Sequence, residues 1–103
     1  MNMVKLLSDK LPAVVQLLKK HKVKRAYAFG SAVAGNFTTA SDIDLLIAFE
    51  DNLDPVEYGV QYFELADQLE LLLNCPVDLV TELSLKNPYF ISSINKSKVP
   101  LYE

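Results

Sequence analysis

The chain is poor in the residues on which several common kinds of site depend. It has 1 cysteine, 1 histidine, 3 glycines and no tryptophan among 103 residues. A lone cysteine, Cys75, excludes an internal disulfide and a cysteine-rich zinc site, and it suits a reducing cytoplasm, which is the location we expect. The N-terminal segment lacks the continuous apolar run of a signal peptide or a membrane span, so we expect no membrane association.

Positive charge is also scarce. Lys and Arg number 10 against 13 Asp and Glu, for a formal net charge of -3. Because binding to DNA or RNA requires a basic surface that neutralises phosphates, this balance predicts no direct nucleic-acid binding. A small nucleotide remains compatible with it, since metal ions can supply the positive charge. The hydrophobic fraction of 50% predicts a packed core, and the length suits a single domain over residues 1–103.

The hydrophobic periodicity predicts helices that alternate with strands. The segments predicted as helices are 4–18, with Pro12 at a kink or at the true start, then 32–34, 55–73 with Asp54 as its cap, and 87–96. The segments predicted as strands are 25–29, 43–49, 76–81 and 99–102. This order predicts an α/β (α+β) fold, in which helices pack on a small mixed β-sheet of about four strands.

Several side chains are given a structural role at this stage. On helix 55–73, Val56, Val60 and Phe63 fall on the apolar side together with Ala66 and Leu73. The aromatic residues of that helix are interpreted as core or as partner-facing surface, and not as a base-stacking site. His21 ends a lysine-rich helix, and we expect it to be exposed to solvent.

Asp42 and Asp44 form the pair of side chains most suggestive of chemistry. They are two residues apart at the start of a strand, which places both carboxylates on one face, with Cα atoms roughly 6.5–7 Å apart. Ile43 and Leu45 should point to the opposite, buried face. Two adjacent carboxylates repel each other unless a cation joins them, and Mg²⁺ prefers carboxylate oxygens together with substrate phosphates. Two such ions could clamp the attacking and the leaving oxygens of a phosphoryl group.

Further candidates surround this pair. Gly30-Ser31 ends a strand, and the free N–H groups of the following turn suit phosphate oxygens. The same two residues also fit a simple turn that binds no ligand. Ser41 can hold the Asp42 backbone, and it joins Gly30 and Ser31 as a nucleotide-binding candidate. Asp78 would approach the pair if the third strand lies beside the second, and there it could bind a metal or accept a proton. As an alternative, Asp78 is only a strand-end carboxylate.

These motifs together resemble the signature of the polymerase β-type nucleotidyltransferase superfamily. The motifs that carry the resemblance are Phe29-Gly30-Ser31, Gly35 and Ser41-Asp42-Ile43-Asp44-Leu45. Chain length and the segments 76–80 and 101–103 resemble its smallest members, the minimal nucleotidyltransferases (MNT). The resemblance implies transfer of AMP from ATP to a hydroxyl, with two Mg²⁺ ions and release of pyrophosphate. It implies that Asp42, Asp44 and Asp78 are the metal-binding and catalytic carboxylates, with Gly30 and Ser31 at the phosphates.

The resemblance also implies a protein partner. MNT proteins often occur with a HEPN protein as a toxin–antitoxin pair, in which AMP is added to a tyrosine of the HEPN toxin. One position departs from the family pattern, because Ala34 occupies the place where the family commonly has arginine before the second glycine. An alternative is therefore a catalytically weak or inactive binding module that neutralises its partner by forming a complex. Both homo-oligomers and hetero-oligomers are compatible with the sequence.

Overall fold

In the residues described by a computed structural model, 5–30, 33 and 42–103, four strands form one mixed sheet. The elements are α1 (Lys5–Asp9), α2 (Leu11–Lys20), β1 (Val23–Phe29), β2 (Ile43–Phe49), α3 (Pro55–Leu73), β3 (Val77–Thr81), a 3₁₀ turn (Glu82–Ser84), α4 (Pro88–Ser97) and β4 (Val99–Tyr102). The strand order is β3-β2-β1-β4, where β2 and β3 are parallel and the other pairs are antiparallel. The predicted α+β fold is confirmed. The predicted helix 32–34 lies outside the described residues, apart from Val33.

The start of α3 follows the predicted capping chemistry. The Asp54 carboxylate accepts a hydrogen bond from the Glu57 N–H at 2.9 Å, and Pro55 occupies the first turn of α3. Asn74 ends that helix in the left-handed conformation at φ 53°. The predicted N-terminal helix is divided at Lys10 into α1 and α2, so Pro12 lies in the first turn of α2. No helix in the described ranges is long and apolar enough to cross a membrane.

The sheet is covered differently on its two faces. On the first face, α2 and α3 pack against alternate residues of β2, and the fully buried side chains include Val14, Leu18, Ile43, Leu45, Ile47, Leu65, Leu69 and Leu73. On the second face, Ile94 of α4 packs on Phe29 and Leu46. Ile43 and Leu45 are thus buried opposite the acidic pair, as predicted. Asp44 shares the second face with Leu46, at the end of β2 where the chain enters the sheet.

The expected solvent exposure of His21 is wrong. His21 is only 3% exposed, because its Nδ1 lies 2.8 Å from Gln61 Oε1 and the ring is enclosed where α2 meets α3. On α3, Val56, Val60 and Phe63 are exposed, whereas Leu65, Leu69 and Leu73 are buried. At about 100° per residue, Leu65 lies roughly 200° around the helix from Phe63. The helix therefore carries two apolar sides, and only the leucine side is buried.

Arg25, the chain's sole arginine, connects β1 to the segment after β3. Its Nε and Nη2 donate to the two carboxylate oxygens of Glu82 at 2.8 and 2.6 Å. The hydrogen bond from Arg25 lowers the pKa of Glu82 below its ordinary 4.5. A carboxylate with a lowered pKa stabilises the fold above the unfolded-state pKa, and this contribution is lost as the pH falls through the folded-state pKa.

We therefore expect Glu82→Gln to lower the free energy of unfolding by roughly 1 kcal/mol at pH 7, because the pair is partly exposed. The difference from the wild type should shrink as the pH is lowered below the ordinary pKa of 4.5. Urea unfolding at several pH values measures both effects. Asp51→Asn is the matched control, since the Asp51 side chain in its pair with Lys24 is 83% exposed and its loss should matter little. Equal effects of the two substitutions at pH 7 would contradict this prediction.

Candidate active site

The backbone aligns two of the candidate carboxylates on neighbouring strands. In the parallel pairing of β2 with β3, Asp44 lies opposite Asp78 and Ile43 lies opposite Val77. The ladder begins at the hydrogen bond from the Ile43 N–H to the Pro76 carbonyl, at 3.0 Å. Side chains at paired positions point to the same face of a sheet, so both carboxylates lie on the second face. Asp42 directly precedes β2 and is exposed, as is Asp78, whereas Asp44 is half-buried.

Gly30 packs directly against Asp44. It follows β1 with φ +69°, and its neighbour Phe29 is paired with Asp44 in the antiparallel register. A Cβ at Gly30 would overlap the Asp44 carboxylate oxygen and would lie 3.2 Å from its Cγ. Both the backbone angle and the space therefore require glycine here. The sequence-based reason for this glycine was access for a phosphate, and the structure adds that it leaves room for the Asp44 carboxylate.

The electrostatic environment disfavours a negative charge on Asp44. Burial raises the pKa of the Asp44 carboxyl, and the carboxylates of Asp78 and then Asp42 raise it further. The carboxylates of Asp78 and Asp42 thus lie close enough to Asp44 to affect its pKa. No ion pair in the described part of the chain brings a Lys or Arg side chain to Asp44 or Asp78. The charge that accumulates at this end of β2 and β3 is therefore not balanced by a basic side chain of those ranges.

The basic and the acidic residues are segregated along the sequence. Between Arg25 and Lys86 there is no Lys or Arg, and the acids of this stretch are Asp42, Asp44, Glu50, Asp51, Asp54, Glu57, Glu64, Asp67, Glu70, Asp78 and Glu82. This acidic stretch includes β2, α3 and β3, the elements that surround the candidate site. A cation at the site must therefore come from outside this stretch, as a metal ion or as a group of a partner.

The donor set fits a divalent cation of the hard, oxygen-preferring kind. Mg²⁺ needs only one or two carboxylates when the phosphates of a nucleotide supply further oxygens. Among the described residues, no three His, Cys, Asp or Glu side chains are gathered as a complete metal-binding group. Carboxylates that repel one another are not expected to converge without a cation, and the Asp78 side chain is exposed. Asp42, Asp44 and Asp78 are therefore the residues that would hold such ions.

Arg25 does not replace the arginine that is missing at Ala34. Arg25 lies near the start of β1 and is paired with Glu82, whereas Gly30 follows the end of the same strand. The Lys98 Nζ lies 4.3 Å from the centroid of the Tyr27 ring. Lys98 thus borders the same pocket as Arg25. Ser31, Ala34, Gly35 and Ser41 lie outside the described residues.

Two side chains of α3 that the sequence reasoning did not single out support the Asp78 strand. Glu70 accepts a hydrogen bond from the Val77 N–H at 2.9 Å, and the Tyr62 hydroxyl donates to the Leu79 carbonyl at 2.6 Å. Burial raises the pKa of Tyr62, with an added contribution from Asp78. Asp78 is thus held between two residues whose backbone is tied to α3. Glu70 is a polar residue on the apolar side of a helix that precedes a strand. Such a residue is the sequence signal that could have indicated its hydrogen bond to the backbone of β3.

The comparisons with known proteins agree with this fold. The family model described as polymerase beta, nucleotidyltransferase, matches residues 13–103. A candidate protein adenylyltransferase of Methanocaldococcus jannaschii is 40% identical over 83 residues, which are 81% of this chain and 81% of that protein. The solved structure of a candidate minimal nucleotidyltransferase is 31% identical with a TM-score of 0.79, over 97% of this chain and 96% of that one.

A complex of two proteins gives a further match. It contains the tri-AMPylated HEPN toxin of Shewanella oneidensis with an MNT antitoxin. One of its chains superposes with a TM-score of 0.65 at 25% identity, over 92% of this chain and 71% of that chain. The mixed sheet with its acidic strand is thus the fold of a minimal nucleotidyltransferase. The chain belongs to the polymerase beta nucleotidyltransferase family, and it is an enzyme of nucleotidyl transfer.

Proposed function

We propose that this enzyme transfers AMP from ATP to a hydroxyl of a protein, and that Asp42, Asp44 and Asp78 carry the reaction. The observation that supports this most directly is the parallel register of Asp44 with Asp78 beside Gly30. Carboxylates on adjacent strands, with little cationic compensation nearby, are suited to binding metal-associated triphosphate and poorly suited to stabilising the fold.

The reaction forms one bond and breaks one. The acceptor oxygen bonds to the α-phosphorus of ATP, the bond from that phosphorus to the bridging oxygen breaks, and pyrophosphate leaves. In this proposal Asp78 accepts the proton of the acceptor hydroxyl, because its carboxylate is exposed and lies on the edge strand β3, where an incoming protein can reach it. Gly30, Ser31 and Ser41 are the proposed phosphate and nucleotide contacts, with Gly30 leaving space beside Asp44.

Mg²⁺ is the proposed cofactor, as two ions held by Asp42, Asp44 and Asp78. When bound, such ions supply polarisation of the phosphates and compensation for the charge that develops on the leaving pyrophosphate. The chain's own part is to hold three oxygen donors at the ends of two hydrogen-bonded strands, where the backbone fixes their spacing. Mg²⁺ would also replace the repulsion among these carboxylates with attraction.

A tyrosine of a HEPN-type toxin is the proposed acceptor, which would make the chain an antitoxin. The supporting observation is the likeness to a chain of a complex between an AMPylated HEPN toxin and an MNT antitoxin. The likeness to a candidate protein adenylyltransferase points to the same class of acceptor. A reducing cytoplasm would suit both the ATP substrate and the free Cys75.

The test is a labelling reaction with α-labelled ATP, Mg²⁺ and the proposed HEPN-type acceptor protein. We expect a labelled tyrosine on the acceptor, located by mass spectrometry, and no label when a chelator removes Mg²⁺. The Asp42→Ala/Asp44→Ala protein should label at least about a thousandfold more slowly. Asp9→Ala is a matched control, because Asp9 lies in α1 and is exposed in its pair with Lys5.

Two results would overturn parts of this proposal. Labelling of the acceptor at the wild-type rate by the double variant would remove Asp42 and Asp44 from the reaction. If the wild type neutralises and binds its partner without any transfer of AMP, the chain acts on that partner as a binding module, and the AMP-transfer proposal is wrong.

A further inference from the structure

The outer side of α3 carries an apolar surface that the fold leaves uncovered. Val56, Val60 and Phe63, here called the outer stripe, are 77%, 48% and 69% exposed. Their spacing of four and three residues is that of a helix side that is normally buried. The stripe borders a groove of about 330 Å³ that is lined by Tyr58, Gly59, Tyr62, Phe63, Leu79, Thr81 and Ser84. An exposed apolar surface beside a groove is a typical feature of a protein–protein interaction site.

This surface lies next to a candidate catalytic residue. The groove follows the free edge of β3, the strand that carries Asp78. The Tyr62 side chain contributes to the groove, and the Asp78 carboxylate is near enough to raise the pKa of its hydroxyl. A protein that bound the outer stripe and filled the groove would therefore reach the edge of β3. A segment of that protein that passed around this edge could bring a hydroxyl to Asp78 on the second face.

The edge of β3 is closed to the addition of another strand. Glu70 binds the Val77 N–H, Tyr62 binds the Leu79 carbonyl, and the Ser84 hydroxyl donates to the Thr81 carbonyl at 2.8 Å. A strand added to a sheet requires these backbone groups to be available. The partner must therefore be recognised by side-chain packing on α3, and not by extension of the sheet.

The charge around the stripe selects the kind of partner. Glu64 and Asp67 are exposed on the same helix, which contains no Lys or Arg. A second copy of this chain would bring the same acids to the interface and would be repelled. A partner whose apolar face is flanked by Lys or Arg would instead be attracted.

We propose that the outer stripe is the docking surface for the protein acceptor, and that its occupant is an apolar face of that protein flanked by Lys or Arg. This rests on the proposed transfer of AMP to a protein. Phe63 is the central contact, because it is large, exposed and shared between the stripe and the groove. Glu64 and Asp67 supply the attraction to the flanking cations.

The experiment compares Phe63→Asn with Leu71→Asn, using the proposed HEPN-type acceptor protein as the probe. Leu71 is 76% exposed on the same helix but lies near the α2 side, so it is a matched control. We expect Phe63→Asn to weaken acceptor binding about tenfold or more and to raise the KM for the acceptor, with an unchanged Kd for AMP-PNP with Mg²⁺. Leu71→Asn should change none of these. Glu64→Gln/Asp67→Asn should slow association and reduce its dependence on salt.

The outcomes separate this proposal from the proposed reaction. If the wild type transfers AMP but Phe63→Asn leaves acceptor affinity and KM unchanged, or if both single variants weaken binding equally, the docking surface is wrong and the reaction stands. If acceptor binding depends on Phe63 but no AMP is transferred, the proposed docking surface is supported and the proposed reaction is wrong. Dissociation of a wild-type homodimer by Phe63→Asn, with no effect on acceptor binding, would assign the stripe to a second copy and overturn the proposal.

Discussion

Replacing Asp44 with asparagine is expected to abolish AMP transfer and, at the same time, to make the metal-free protein more stable. Asparagine has the same shape but offers one neutral oxygen where the carboxylate would bind Mg²⁺ and face the triphosphate, so a loss of about a thousandfold or more is expected. The gain in stability follows from the pKa of the Asp44 carboxyl, which burial and the neighbouring acids raise above its ordinary 3.8.

The sign of the stability effect can be worked out directly. A carboxyl whose pKa is higher in the folded than in the unfolded state lowers the free energy of unfolding when it is ionised at neutral pH. Its cost disappears below the ordinary pKa of 3.8, where it is protonated in both states. The melting temperature of Asp44→Asn should therefore exceed that of the wild type at pH 7 without Mg²⁺. Thermal unfolding with a chelator, and the labelling reaction with Mg²⁺, measure the two effects.

The ionic conditions provide the control for this prediction. Adding Mg²⁺ with AMP-PNP should stabilise the wild type by mass action and should stabilise Asp44→Asn much less. The difference between the two melting temperatures should therefore shrink or change sign. Asp9→Asn, a substitution of an exposed acid outside the sheet, should respond to ligand as the wild type does. A lower melting temperature of Asp44→Asn in the absence of metal would show that the carboxylate supports the fold, contrary to its environment.

Local patterns in the sequence were sufficient to predict most of the elements. Strand β2 was predicted at 43–49, as observed, because Ile43 to Phe49 is an apolar run with one interrupting acid. Helix α3 was predicted from a cap, a proline and an apolar repeat, all of which lie within a few residues of one another. The predicted beginnings of β1 and β3 differ by two residues and by one, since strand ends depend on pairing with neighbours.

The arrangement of the site depended on long-range packing. Asp78 reaches Asp44 only because α3 returns the chain so that β3 runs parallel to β2 in this register. Which of the two apolar sides of α3 is buried likewise depends on packing against the other elements of the chain. The leucine side meets α2 and the sheet, whereas the outer stripe is left 48–77% exposed. His21 was misjudged for the same reason, because its partner Gln61 is 40 residues away.

Gly30→Ala is expected to combine a loss of stability with a loss of AMP transfer. The backbone at φ +69° costs an alanine about 1 kcal/mol or more, and the added methyl group would overlap the Asp44 carboxylate. The Asp44 carboxylate must then leave its present position, so we expect the transfer rate to fall about a hundredfold or more. Unfolding in urea and the labelling rate report the two losses. Gly59→Ala is the matched control, because Gly59 lies within α3 with open space around it and should gain roughly 0.5–1 kcal/mol.

A double-mutant cycle separates the two causes of the Gly30→Ala effect. In an Asp44→Ala background the carboxylate that the new methyl group would meet is gone, so only the backbone cost remains. Gly30→Ala should therefore destabilise the Asp44→Ala protein less than it destabilises the wild type. If the two costs were equal, the backbone angle alone would explain the glycine, and close packing on Asp44 would not be a requirement of this site. A clear coupling energy would instead show that Gly30 is needed to hold the Asp44 carboxylate beside Asp78.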